Sequence, residues 1–363
     1  MRIVVAPDKF AGTLTAIEAA EAVREGWLQT APGDELELVP LSDGGPGFLD
    51  VLQSDLGGTV HATTVTGPLG VPTPAPLLQV DDTAYIEAAQ ACGLHLVDPE
   101  QRDPLASSSY GVGELIALAL EAGVRRIVVG VGGTASVDGG AGLLAALGAG
   151  PRDQLSRGGG ALGELAGEVD LTTARRRLEG VELVAATDVD APLLGSEGAA
   201  HGFGAQKGAD RAGRDQLETA LRVWATATDG GVAVRGGAGA GGGIGFALLL
   251  LGATREPGAQ LALDAVRLEE RARQADLLIT GEGAFDWQSL RGKVVAGVAR
   301  TGQQTGRPTV VLAGRVEVGR RELSNAGIDS AYAIVDMPAR ERGHTANEDL
   351  RALAARVART WSR

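Results

Sequence analysis

Short runs of β-branched and aliphatic residues alternate along the chain with longer stretches rich in Ala and Leu. This is the rhythm of strands feeding helices, and it predicts an α/β fold built on parallel sheet. Toward the N-terminus, residues 3–6, 36–41 and 59–65 predict strands, with helices over 15–30 and 47–56. Toward the C-terminus, strands are expected over 277–280, 309–313 and 330–335, and helices over 289–304, 320–325 and 347–361. Together the two ends predict one doubly wound, Rossmann-like domain. Between them, the proline-rich run GPLGVPTPAPL at 67–77 reads as a chain crossover, because proline supports neither continuous helix nor central strand. The expected division is therefore 1–69 plus 276–363 as a discontinuous parallel-sheet domain, with 70–275 as an inserted α/β domain carrying glycine-rich loops.

Glycine alters this picture most. It accounts for 55 of 363 residues, about twice the usual share, without a collagen-like period, so the excess belongs in turns and in loops that approach ligands. Charge narrows the partners: 33 basic against 46 acidic residues leave a net charge of −13, which disfavours nucleic acid and anionic membrane surfaces. Cys92 is the one cysteine, and the start MRIVVAPDKF has no signal-peptide pattern, so a cytoplasmic location is expected. The uncharged stretch 236–254 opens on glycines, and its apolar part is too short to span a membrane.

In open parallel sheets ligands gather beyond the carboxyl ends of strands. There the chain repeatedly places acidic residues and glycines: APDKFAGTLT (6–15), LSDGGPGF (41–48), GVGGTASVDGGAG (130–142), TDVDAPLLG (187–195) and TGEGAFDWQSLRGK (280–293). Phosphoryl transfer needs such residues, since glycine-turn N–H groups cradle phosphates, carboxylates hold Mg²⁺, and Lys or Arg offsets developing charge. Asp188 and Asp190, two apart after an expected strand, are the candidate Mg²⁺ ligands and the first candidates for the base, with Asp43 and Asp8 beside them; which does which is left open. Lys9, Lys207 and Lys293 are the only lysines in a chain that otherwise uses Arg. Lys207 is taken as a catalytic candidate, and Lys9, Glu282, Asp286, Arg291 and Lys293 as candidate substrate contacts. Gly132, Gly133, Gly139, Gly140, Gly239, Gly241 and Gly242 are the candidate phosphate cradles for ATP.

Plainer roles exist for the same residues. A Gly pair after a strand also makes a tight turn, and Asp43 or Asp138 before a helix also serves as an N-cap worth about 1 kcal/mol. His61, His95, His201 and His344 show no metal spacing. GVGGTA (130–135) and GAGAGG (237–242) fit dinucleotide fingerprints, but the first lacks a second strand ending in an acidic residue about 20 positions on. No G-x-x-x-x-G-K-[ST] occurs, so ATP binding would not use a P-loop.

The blocks APDKFAGTLTAIEAAEAV, PLSDGGPGF, GVGGTASVDGGAGLLAALGA, ATDVDAPLLG, FGAQKGAD, GGAGAGGGIGFAL and DLLITGEGAFDWQSLRGKVVAGVA occur in order over nearly the whole chain. Together they resemble the glycerate kinase family of the bacterial type-one kind. The resemblance implies a flavodoxin-like domain with a second domain inserted, and Mg²⁺-dependent transfer of the ATP γ-phosphate to D-glycerate, 2-phosphoglycerate being the favoured product. It implies small-molecule partners, no nucleic acid and no membrane, and leaves a homodimer open. Against the family pattern, Ala11 stands where Lys is common, Pro46 for Glu, Val137 and Ala191 for Asn, and Ala205 for Pro. Two rival readings are a glycerate- or nucleotide-binding sensor without chemistry, and an NAD-linked oxidoreductase.

Overall fold

The computed structural model describes residues 1–10 and 12–362, so Ala11 lies outside the described residues. Among the described residues the strands are β1 (Arg2–Val5), β2 (Glu35–Leu38), β3 (Thr59–Thr66), β4 (Pro72–Val80), β5 (Thr83–Glu87), β6 (Arg126–Gly130), β7 (Glu182–Ala186), β8 (Thr254–Glu256), β9 (Leu277–Phe285), β10 (Thr309–Val316) and β11 (Ser330–Ala333). They form a five-stranded sheet, β11-β10-β9-β1-β2, and a six-stranded sheet, β3-β4-β5-β6-β7-β8. Packing divides the chain in the same way, into a first unit of Met1–Asp43, Asp50–Leu56 and Pro257–Arg363 and a second of Gly44–Leu49 and Gly57–Glu256.

The sheet of the first unit is wholly parallel: β1 pairs with β2 and β9, β9 with β10, and β10 with β11. Counted by order of appearance within this sheet, the strands run 2-1-3-4-5, the flavodoxin order, and the connections diverge on either side of the β1/β9 boundary. A central parallel strand is covered on both faces and so carries an unbroken apolar run. Ile3, Val4 and Val5 are accordingly shut off from solvent. Ile3 and Val5 pack with Trp27 and Leu353 on one face, and Val4 with Leu263 and Val298 on the other. The helix Ala16–Thr30 is started by a capping box in which the Glu18 N–H donates to Thr15 Oγ1 (3.1 Å) and the Thr15 N–H to Glu18 Oε2 (2.8 Å). That cap sets where the loop carrying Asp8 and Lys9 must end.

The second unit joins two antiparallel pairings, β3–β4 and β4–β5, to parallel β5–β8. Here two expectations change. Residues 59–65 were expected in the first sheet, but β3 pairs antiparallel with β4 along its length, from Thr59↔Gln79 to Thr66↔Pro72. The proline-rich run, expected as a crossover, is itself strand β4. Pro72, Pro74 and Pro76 are spaced by two, so their missing N–H groups fall on the same edge, and β5 covers β4 only at Leu78–Val80. No ladder donor is lost, and the prolines guard an uncovered edge. The packing boundaries at 56/57 and 256/257 therefore differ from the expected 69/70 and 275/276, because helices Gly258–Ala265 and Leu268–Gln274 bury Leu263 and Ala272 in the core of the first unit.

Candidate functional site

In the first unit, the chain leaving β1 continues along β9, with the Ala6 N–H donating to Ile279 O (2.7 Å) and the Asp8 N–H to Gly281 O (2.9 Å). The loop after β2 is tied to the same place by the Leu41 N–H to Pro7 O (2.9 Å). Asp8, Asp43 and Glu282 thus come to the carboxyl ends of β1 and β2 and the far half of β9, at the switch point where such folds bind ligands. Asp8 is 6% exposed, and its Oδ1 accepts the N–H of Lys9 (2.7 Å). Lys9 Nζ lies 3.2 Å from Asp43 Oδ1. Burial raises the Asp8 carboxyl to about 6, helped by the charge of Asp43 and opposed by Lys9 and Lys293. Burial likewise raises Glu282 to about 7, with Asp8 adding to the rise and a Ser289 hydrogen bond and Lys293 opposing it. Glu282 Oε1 is enclosed with no hydrogen-bond partner.

A short turn after β9 holds the remaining members. Asp286 Oδ1 accepts the N–H groups of Gln288 (2.7 Å) and Ser289 (3.3 Å), and Ser289 Oγ accepts the Asp286 N–H (3.2 Å). This places the buried Ser289 beside Glu282 and sets Lys293 at the start of helix Val294–Thr305. Asp286 therefore shapes the turn. Arg291 stacks its guanidinium 4.5 Å from the ring centroid of Trp287, which is 57% exposed. Asp8 and Glu282, poised near neutrality beside Lys9 and Lys293, can accept a proton from a hydroxyl, and the lysines can hold an anion.

The second unit handles its buried charges differently. Asp138, wholly buried, accepts from the Ser109 N–H and Oγ (both 2.8 Å) and from the N–H groups of Gly140 (3.0 Å) and Gly142 (3.2 Å). Burial raises its carboxyl while these donors pull the other way. Lys207, 4% exposed, donates to Ser136 O (2.7 Å) and Thr134 Oγ1 (3.1 Å). Burial lowers its amine to about 8, against the opposing influence of Cys92 and Asp138. Lys207 is therefore a brace across the loop after β6.

The candidate cradle glycines serve the same packing. A Cβ on Gly242 would come within 1.9 Å of Ser136 O, on Gly241 2.6 Å from Val131 Cγ1, and on Gly239 2.2 Å from Pro192 O. Gly139 and Gly140 would meet Trp224 Cδ1 at 2.4 Å and Ala247 Cβ at 2.3 Å, and Gly132 and Gly133 would meet Gly45 Cα at 2.9 Å and Pro46 Cγ at 2.6 Å. Close contacts inside the unit account for all seven without a phosphate. After β7 the Thr187 N–H still donates to Glu256 O (2.9 Å), and then the chain leaves the sheet. Asp188 is half-buried, whereas Asp190 is exposed and ion-paired with Arg255. The two candidate Mg²⁺ ligands thus occupy two environments, because strand alternation stops at Ala186. Among the described residues no group of three or more His, Cys, Asp or Glu side chains gathers as a metal site.

Residues 3–362 match the family model described as the glycerate kinase family. The glycerate kinase of Bacillus subtilis (strain 168) is 40% identical over 346 residues, covering 92% of this chain and 90% of that protein. The glycerate 2-kinase of Escherichia coli (strain K12) is 38% identical, covering 92% and 91%. A crystal structure from Salmonella typhimurium LT2 assigned as a glycerate kinase 2 superposes with a TM-score of 0.81 at 38% identity, over 99% of this chain and 98% of that one. The chain belongs to the glycerate kinase family. It is accordingly a kinase enzyme with the mixed α/β fold of that family. No helix of the described residues is long and apolar enough to cross a membrane.

Some positions that depart from the glycerate kinase pattern find local uses. Pro46 packs on Gly133, Val137 is wholly buried in the core, and Ala191 O accepts the N–H groups of Gly237 (3.2 Å) and Gly239 (2.9 Å). Sequence reasoning did not single out Ser289, Ser109, Thr134 or Ser136. For Ser289 a signal was present, since Asp followed three residues later by Ser is the spacing of a reciprocal turn. For the others burial alone decides the role.

Proposed function

We propose that this glycerate kinase transfers the γ-phosphate of ATP to the 2-hydroxyl of D-glycerate, with Mg²⁺ as cofactor. The carrying observation is the buried carboxylate Asp8 and the half-buried Glu282, whose Oε1 is enclosed, flanked by Lys9 and Lys293 at the switch point of the first sheet. Glycerate and the 2-position are supported by the names of the relatives. Glycerate presents one carboxylate and two hydroxyls, so its site needs a cation for the first and a proton acceptor for the attacking oxygen. Lys9 and Lys293 supply the cation, with Arg291 on the same turn as a further anion contact. Glu282, whose Oε1 has no other partner, takes the hydroxyl proton, and the charge of Asp8 raises its affinity for that proton.

Asp188 and Asp190 offer hard oxygen donors, and Mg²⁺ asks for only one or two protein carboxylates. They would hold the ion, which when bound neutralises charge on the phosphates. A phosphorus NMR time course with Mg·ATP and D-glycerate tests the reading. A 2-phosphoglycerate signal is expected; a 3-phosphoglycerate signal would keep the kinase and reject the position. Folded protein giving no phosphoglycerate would favour the sensor reading instead.

A further inference from the structure

A groove of about 970 Å³ in the first unit runs beside the amino-terminal ends of β10 and β11, between the end of helix Val294–Thr305 and helix Arg320–Asn325. It lies away from the carboxyl-end cluster of Asp8 and Glu282, and nothing in the proposed reaction uses it. Two arginines line it, Arg307 and Arg320. Among the described residues neither has an ion-pair partner. Arg307 is held in place by Nη2 donating to Arg273 O (2.8 Å), while its Nε–H is buried with no acceptor. A buried donor left unmade costs about 1–3 kcal/mol.

A second unsatisfied group adjoins the first. Thr309 is fully buried at the head of β10 and its hydroxyl has no partner. It sits behind Gly302 of the groove wall, where a Cβ would approach within 2.2 Å of Thr309 Oγ1. The one carboxylate in the lining, Asp329, already accepts the Thr309 N–H (2.8 Å). Leu323 and Tyr332 supply an apolar wall. We propose that this groove is a second anion site, in which Arg307 and Arg320 bind the phosphate group of a small phosphorylated metabolite whose carbon portion rests on Leu323 and Tyr332. The volume suits a metabolite, since small-molecule sites commonly span about 300–1,000 Å³. Arg provides the planar fork that phosphate oxygens take in pairs.

Titration calorimetry on the full chain tests this, with inorganic phosphate and glycerol 3-phosphate as probes against wild type, Arg320→Glu and Arg307→Gln. Loss of a charge-assisted contact predicts affinity about tenfold weaker or more in Arg320→Glu, with kcat for the kinase reaction unchanged. Tighter binding of the ester than of inorganic phosphate identifies a metabolite as the occupant, and equal binding identifies free phosphate. Arg320 is exposed, so its replacement leaves the core intact. Equal affinity of wild type and Arg320→Glu for both probes, or no binding of either to wild type, would overturn the proposal.

Discussion

Asp8 in the first unit and Asp138 in the second are buried, and Glu282 is half-buried with one oxygen enclosed, yet their surroundings differ. Asp138 accepts four hydrogen bonds from Ser109, Gly140 and Gly142. Glu282 has an enclosed oxygen with no partner, and the rise of its carboxyl is increased by another acid, Asp8. A buried charge met by donors holds loops together, while one left unsatisfied beside like charge is available for proton transfer. Lys207 and Lys293 divide in the same sense: the first is locked to Ser136 and Thr134, the second faces the acids.

The sharpest break of this contrast is Glu282→Gln. It is expected to lower kcat by about 10²- to 10⁴-fold, the range for losing a proton acceptor, with the protein still folded; near-normal turnover in a steady-state assay would remove Glu282 from the chemistry. In the second unit, Gly242→Ala must place a Cβ against Ser136 O at φ +72°. A loss of about 3 kcal/mol or more is expected from denaturant unfolding, and a silent substitution would mean that the loop is not packed as described. Lys207→Met should cost about 1–3 kcal/mol by leaving Ser136 O and Thr134 unpartnered, with KM for ATP and glycerate little changed. The reverse pattern, an altered KM with unchanged Tm, would return Lys207 to the ligand site.

Acid titration separates the units more gently. Asp8 and Glu282 hold protons more tightly folded, at about 6 and about 7, than unfolded, at the ordinary 3.8 and 4.5. Their contribution to stability is therefore complete below about pH 4 and is lost as pH rises through 6 and 7. Asp8→Asn should raise Tm at pH 8 relative to wild type and leave it unchanged near pH 4; a gain independent of pH would show that burial is not the cause. The smallest effect on stability is expected at Asp190→Asn, where an exposed ion pair with Arg255 is worth at most about 1 kcal/mol. Its kcat should nevertheless fall, and retained turnover would remove Asp190 as a cofactor ligand.

Much was legible in the order of residues alone. The apolar runs of β1, β9 and β10 and the acid- and glycine-bearing segments after β1 and β2 and along the end of β9 could be read locally, because strand burial and loop chemistry leave their marks within a few residues. Asp8, Lys9, Glu282 and Lys293 were all named from those segments, and the ordered blocks pointed to the family. Pairing was not legible: that Pro72, Pro74 and Pro76 face an uncovered edge depends on where β5 stops, a fact about another strand. Nor could glycine number separate a ligand loop from a packed one, since the atom excluding a Cβ at Gly242 belongs to Ser136, more than a hundred positions away. The residue order by itself determined the α/β class, the family and a short set of candidate acids and lysines. Only the tertiary structure decided which charges are satisfied, because burial and hydrogen-bond partnership depend on neighbours brought together by folding.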